Sequence, residues 1–184
     1  PDGAHLTPET AAFTIGEALA AAIAGDSLLI AGGTDSILVY QERFTLPAGI
    51  ALLGGYSLQA PAFTMRDSDV HQAEIDGSPS SEQDPGGTVI TVAGGSGPET
   101  LIEGLRIRGG GPTIRGGGIL ASAASPTIRD NIIYLNSAGT TGGGGGSGIR
   151  LENGADAVID GNSFINNTAV GASGTLHLVD SDPI

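Results

Sequence analysis

The densest run of chemically capable side chains is RDSDVHQAEIDG, Arg66 to Gly77, in which Asp67, Asp69, Glu74 and Asp76 accompany His71. Carboxylates gathered this closely are the hard oxygen ligands that calcium takes, so these four are the candidate calcium ligands. Their spacing does not follow an EF-hand loop, and a solvated acidic loop accounts for them without a metal. Arg106 and Arg108, in RIRG, are the candidate bases for drawing a proton from an acidic sugar held by calcium. Solvated, outward-facing arginines are the plainer account of the pair.

Other chemistry finds little footing. GGGGGSG, Gly142 to Gly148, has the glycine content of a phosphate loop, but that loop requires a lysine and a strand-to-helix setting, and the chain has no lysine. It reads as a flexible loop that absorbs a difference in repeat length. No G-x-S-x-G, H-E-x-x-H or C-x-x-C occurs, and His5, His71 and His177 fall in unrelated places. No catalytic or cofactor-binding residue is therefore assigned.

The elements that would position such groups follow from composition and period. At 184 residues with 39% hydrophobic content, a single domain spanning 1–184 is expected, and 32 glycines imply many tight turns. A net charge of −13 with seven scattered arginines repels polyanions, which excludes nucleic acid as a partner. The longest apolar region, Ala11 to Gly33, carries Glu17 and Asp26, so no transmembrane segment is expected. Cysteine is absent, which leaves disulfides and thiolate chemistry out of the argument. The chain opens on Pro1, which suggests removal of an upstream segment and hence export.

TIGEALAAAIAG, Thr14 to Gly25, has the form of a capped helix, with Thr14 as N-cap, Glu17 three residues on and glycine at the end. Ile15, Leu19 and Ile23 make one apolar stripe, which predicts a lid lying across the end of something larger. The helical period then vanishes. Short apolar runs at 28–30, 37–40, 44–46 and 50–53 are bounded by Gly, Pro, Asp or Ser and predict short strands. The polar stretch Gln59 to Gly87 reads as a surface excursion.

From Thr88 onward one template recurs: Ile102-x-Gly104-Leu105-x-Ile107, Ile128-x-Asp130-Asn131-x-Ile133 and Ile159-x-Gly161-Asn162-x-Phe164, at spacings of 26 and 31 residues. Such a period, built from strands without helices, predicts a solenoid of roughly five coils, about 25 Å long. Ile102, Ile128 and Ile159 should stack inward, as should Ile107, Ile133 and Phe164, with Glu103, Arg129 and Asp160 alternating in sign outside. Asn131 over Asn162 should stand at a bend, in left-handed backbone, with their amides bonding along the stack. Laying Gly174–Ile184 over Gly118–Thr127 stops the chain in mid-coil, so the sequence implies either a piece of a longer protein or an open C-terminal coil that meets a partner subunit, self-association included.

EALAAAIAGDSLLIAGGT at 17–34, GIALLGGYS at 49–57, Arg66-Asp67, EIDG at 74–77 and LIEGLRIRGGG at 101–111, followed by GGGIL and SPTIRDN, appear in an order that carries a resemblance. In it the chain resembles the right-handed parallel β-helix proteins of the pectin-lyase-like superfamily, most of all the exported bacterial members related to polymorphic outer-membrane adhesins. The resemblance implies an all-β parallel β-helix solenoid with a short N-terminal capping helix at 14–25 and coils over 26–184, and it places residues 75–77 in an ordinary strand and turn. It also implies an extracellular or cell-surface location and an adhesive or structural role, with a carbohydrate or a cell-surface protein as partner. A polysaccharide lyase or glycoside hydrolase of the same fold is the alternative, though the NTD, DD, GHG and RIK motifs of the polygalacturonase-type hydrolases do not occur. A polymer-forming subunit stacking through its open coil is the third expectation.

Overall fold

A computed structural model describes residues 11–59, 63–111, 115–139, 145–170 and 174–184. After a helix α1 (Ile15–Ala21), the chain winds through five coils. The first holds β1 (Ser27–Gly32), β2 (Leu38–Tyr40) and β3 (Phe44–Leu46), and the second β4 (Ala51–Ser57), β5 (Ala73–Asp76) and β6 (Ile90–Val92). The third holds β7 (Leu101–Glu103), β8 (Arg106–Arg108) and β9 (Ile119–Ser122). The fourth comprises β10 (Thr127–Arg129), β11 (Ile132–Tyr134), β12 (Ser137–Ala138) and β13 (Ile149–Glu152). The fifth comprises β14 (Val158–Asp160), β15 (Ser163–Ile165), β16 (Thr168–Ala169) and β17 (Leu176–Val179).

Equivalent strands pair in parallel, giving three five-stranded sheets in the orders β1-β4-β7-β10-β14, β2-β5-β8-β11-β15 and β3-β6-β9-β13-β17, with β12-β16 as a short fourth ladder. Ile128 is in register with Ile102 on one side and Ile159 on the other, and Ile133 with Ile107 and Phe164. The inward columns are therefore those expected. Ile102, Ile128, Ile107, Ile133, Ile119 and Ile149 are wholly sealed, each worth roughly 2 kcal/mol of apolar burial. β-Branched side chains suit this place, because they pack on a pleated surface with little rotamer freedom to lose.

The bends are made by left-handed residues directly after strands. Gly104, Asp130 and Gly161 turn the chain between the first and second sheets, and Gly109, Leu135 and Asn166 turn it after the second. Asparagine was expected in that conformation at 131 and 162, but the left-handed residue is the one before it. This frees each asparagine to point inward, and two amide ladders result. Asn131 Nδ2 donates to Ile102 O at 2.9 Å and to Asn162 Oδ1 at 3.0 Å, while Asn131 Oδ1 accepts from Leu105 N. Asn136 repeats the pattern with Ile107 O, Asn167 Oδ1 and Gly110 N. Leu105 thus extends the first ladder through its backbone.

The lid is shorter than its sequence suggests. Thr14 caps α1 by accepting from Glu17 N at 3.0 Å, and the Glu42 carboxylate accepts from Ile15 N and Gly16 N at 2.7 and 2.9 Å. Asp26 Oδ2 captures Ile23 N at 2.8 Å and holds the chain out of the helix, so Ile15 and Leu19 are buried and Ile23 is exposed. The supposed excursion at 59–87 also contains β5, which is buried throughout and completes the second coil. Glu74 and Asp76 lower its hydropathy and hide it from composition, whereas the strand and turn that the resemblance placed at 75–77 are found there.

Removing an inward amide strands two buried backbone groups. Asn131→Ala is expected to lower unfolding free energy by about 3 kcal/mol in urea denaturation, and Asn167→Ala, on the outermost coil, by under about 1 kcal/mol.

Candidate functional site

β5 and β8 lie side by side with Glu74 opposite Arg106 and Asp76 opposite Arg108, so E-I-D is stacked beneath R-I-R. The isoleucines point in and the four charges point out, which concentrates them on one patch of the second sheet. Arg108 Nε donates to Glu74 Oε1 at 2.6 Å, and its Nη2 lies 2.7 Å from Asp76 Oδ2. Arg106 Nε lies 3.6 Å from Glu74 Oε2, and the Arg106 guanidinium rests 4.9 Å from the centre of the Tyr134 ring. The Tyr134 hydroxyl, one coil further up, donates to Glu74 Oε2. Glu74 is only 3% exposed, so its charge is neutralised in a partly dry setting where such contacts count most.

Electrostatics favour holding over reacting. Burial, then the hydrogen bond to Glu74, pushes the Tyr134 hydroxyl above its ordinary range, so it stays protonated and donating. The Glu74 hydrogen bond, with the charges of Glu74 and Asp76, raises Arg108 further still. Tyr40, inside the tube, is pushed up to about 12 by burial and by the charge of Glu42. Neither of these two tyrosines can serve as a base near neutral pH.

The same device recurs elsewhere on the exterior. Arg66, from the excursion, and Arg129, from the coil above, both bind Glu103, the latter at 2.5 Å. Arg150 binds Glu152 at 2.7 Å and places Nη1 3.0 Å from His177 Nδ1, while Arg115 lies 3.6 Å from Glu152. Arg43 grips Asp84 at 2.5 Å and pins the loop after β5. Every one of the seven arginines is ion-paired.

The four calcium candidates therefore divide. Glu74 and Asp76 face Arg106 and Arg108, which are engaged ion-pair partners and not the solvated side chains expected. Asp67 caps its own turn, accepting from Asp69 N at 3.0 Å and Val70 N at 3.2 Å. Among the described residues no three His, Asp or Glu side chains are grouped to hold a metal ion. A groove of about 490 Å³ runs beside the first bend, lined by Arg66, Asp67, Asp69, Glu103, Asp130 and Ser163 among others. His71 is buried with Nδ1 3.0 Å from Thr34 Oγ1, and His5 lies outside the described residues. Gly142 to Gly144 lie outside them too, but Gly146 to Gly148 form a ladder over Gly117 to Ile119 in place of a flexible loop. The pairing of Glu74 and Asp76 with Arg106 and Arg108 was legible as two charge patterns of identical two-residue spacing. Tyr134 gave no such signal.

Five coils of parallel strands with inward aliphatic columns set the frame, and residues 48–180 match the family described as right handed beta helix region. The chain belongs to the right-handed β-helix family. No curated protein and no solved structure gives a match. Among the described residues of this β-helix, no helix is long and apolar enough to cross a membrane.

The ion pairs make the β-helix sensitive to acid. Burial alone would raise Glu103, but the hydrogen bonds and charges of Arg66 and Arg129 outweigh it and hold the carboxyl below its ordinary value. The Arg43 hydrogen bond, with those from Ser80 N and Gly86 N, holds Asp84 well below the carboxylate range. Each group binds fewer protons folded than unfolded, so its contribution is complete above the ordinary carboxylate range and fades as pH falls through the depressed folded value. Urea midpoints should drop between about pH 5 and pH 2, and Glu103→Gln should flatten part of that decline.

Proposed function

We propose that this β-helix is a non-catalytic module of the cell surface or extracellular space, acting as an adhesive or structural element. The observation that carries this reading is the engagement of all seven arginines by carboxylates, six of them on neighbouring coils or loops and that of Arg150 on its own strand. The cationic side chains that an acidic sugar would need, as a clamp or as a base, are already neutralised, most of them in pairs that link one coil to the next. What such an exterior offers a partner is a fixed relief, and recognition by shape is the business of an adhesive or scaffolding surface. The surface location rests on the likeness to exported β-helix proteins.

The test is direct. The purified chain is applied to a glycan array and to intact cells, and in parallel is incubated with uronic-acid polymers and calcium. Saturable binding without ultraviolet-absorbing unsaturated product or new reducing ends is the expected result. Product formation above the protein-free control, or no binding to any surface, would remove the proposal.

A further inference from the structure

Four of the six asparagines, Asn131, Asn136, Asn162 and Asn167, serve the amide ladders. Asn153 is placed differently. It stands exposed at the corner directly after β13, in left-handed backbone at φ 58°, and Gly154 follows it at φ 76°. No other asparagine of the sequence has glycine next in the chain. The pairing matters chemically, because glycine has no side chain to shield its backbone nitrogen from the carboxamide carbon of the asparagine before it. A Cβ at Gly154 would meet nothing within 4 Å, so the space beside this turn is open. Three hydrogen bonds hold the turn closed. Gly154 N donates to Asp180 O at 2.7 Å and Asn153 N to Val179 O at 3.1 Å, both on the coil above. Asn153 Nδ2 donates to Ser122 Oγ at 2.8 Å on the coil below. The first bond occupies the nitrogen that would attack, and the last holds the amide that would leave.

We infer that Asn153-Gly154 is a self-modifying turn of the β-helix, a deamidation site gated by the opening of this corner. Once Gly154 N leaves Asp180 O and gives up its proton to water or hydroxide, it bonds to Asn153 Cγ. The Cγ–Nδ2 bond then breaks, and the amide takes a proton from solvent and departs as ammonia. Water opens the resulting cyclic succinimide at either carbonyl, leaving aspartate or isoaspartate, and no oxidant, reductant or cofactor enters the balance. Either product adds a negative charge at a corner where Asp156 and Asp180 are already exposed. Isoaspartate also routes the main chain through an extra carbon, so the N–H groups of 153 and 154 can no longer both meet the carbonyls of Val179 and Asp180. The contact between the fourth and fifth coils is therefore what the modification loosens, and β17, paired with β13, is the strand that feels it.

This inference stands apart from the adhesive reading, and ageing the folded full chain at mildly alkaline pH tests it. Ammonia release is followed together with isoaspartate, counted by a methyltransferase specific for it and located by peptide mass mapping. Conversion should be found first at Asn153, and at least about tenfold slower than in urea, because the turn must open before Gly154 N is free. Ser122→Ala, at the half-buried end of β9, releases the carboxamide and should speed conversion of the folded chain severalfold. Two readouts on the wild-type chain do not depend on a variant folding. Hydrogen exchange of the Gly154 amide and the rate of conversion should rise in parallel at low urea, and amides 176–179 should exchange faster in aged than in fresh protein. Equal rates in folded and unfolded chain, earlier conversion at another asparagine, no ammonia from the folded chain, no effect of Ser122→Ala, or unchanged exchange at 176–179 after ageing would each overturn it.

Discussion

Register between parallel strands is the constraint on which everything else in this molecule depends. A one-residue slip of β10 against β7 would turn Ile128 outward and Arg129 inward, because side chains alternate along a strand. The inward aliphatic columns forbid that slip through burial, and the outward charges forbid it through pairing: Arg129 meets Glu103, and E-I-D of β5 meets R-I-R of β8. The two faces of each wall thus specify the same alignment by independent physics, and agreement of this kind is what gives a repeat sequence a single structure.

The asparagine ladders extend this control to the corners, where strand pairing stops. A bend exposes backbone groups that no neighbouring strand can reach, and within a closed tube water cannot reach them either. Asn131 and Asn136 supply the missing donors and acceptors, and each also links to the asparagine one coil up. They can do so because the preceding residue takes the left-handed conformation, at φ 54° for Asp130 and 51° for Leu135. Glycine or a short polar residue adopts this shape cheaply. Leu135 does not, and its side chain is left half exposed at the corner.

The periodic features were the legible ones. The isoleucine columns, the sign alternation at 103, 129 and 160, and the Asn131–Asn162 contact all repeat at the coil spacing, so comparing the chain with itself revealed them. What stayed hidden departs from the period. By composition alone β5 reads as loop, because its outward residues are acids whose partners lie some thirty positions downstream, and it was the resemblance that placed residues 75–77 in a strand and turn, as they are. The shortened lid depends on Asp26 and Glu42, two carboxylates that bond to backbone N–H groups across a turn or across 26 residues, and no local pattern announces them. The Tyr134 contact spans 60 residues and involves a residue type that appears once in its column.

Coil length varies widely while coil height does not. Register places 24 residues between Ser27 and Ala51, 50 between Ala51 and Leu101, and 26 between Leu101 and Thr127, yet each turn of the chain climbs by one strand spacing, about 4.8 Å. Surplus residues can only bulge sideways at the corners, as the segments on either side of β5 do. Axial reach and lateral decoration are therefore separate variables in this architecture, and new outward loops can be acquired or lost without altering the pitch of the column that carries them.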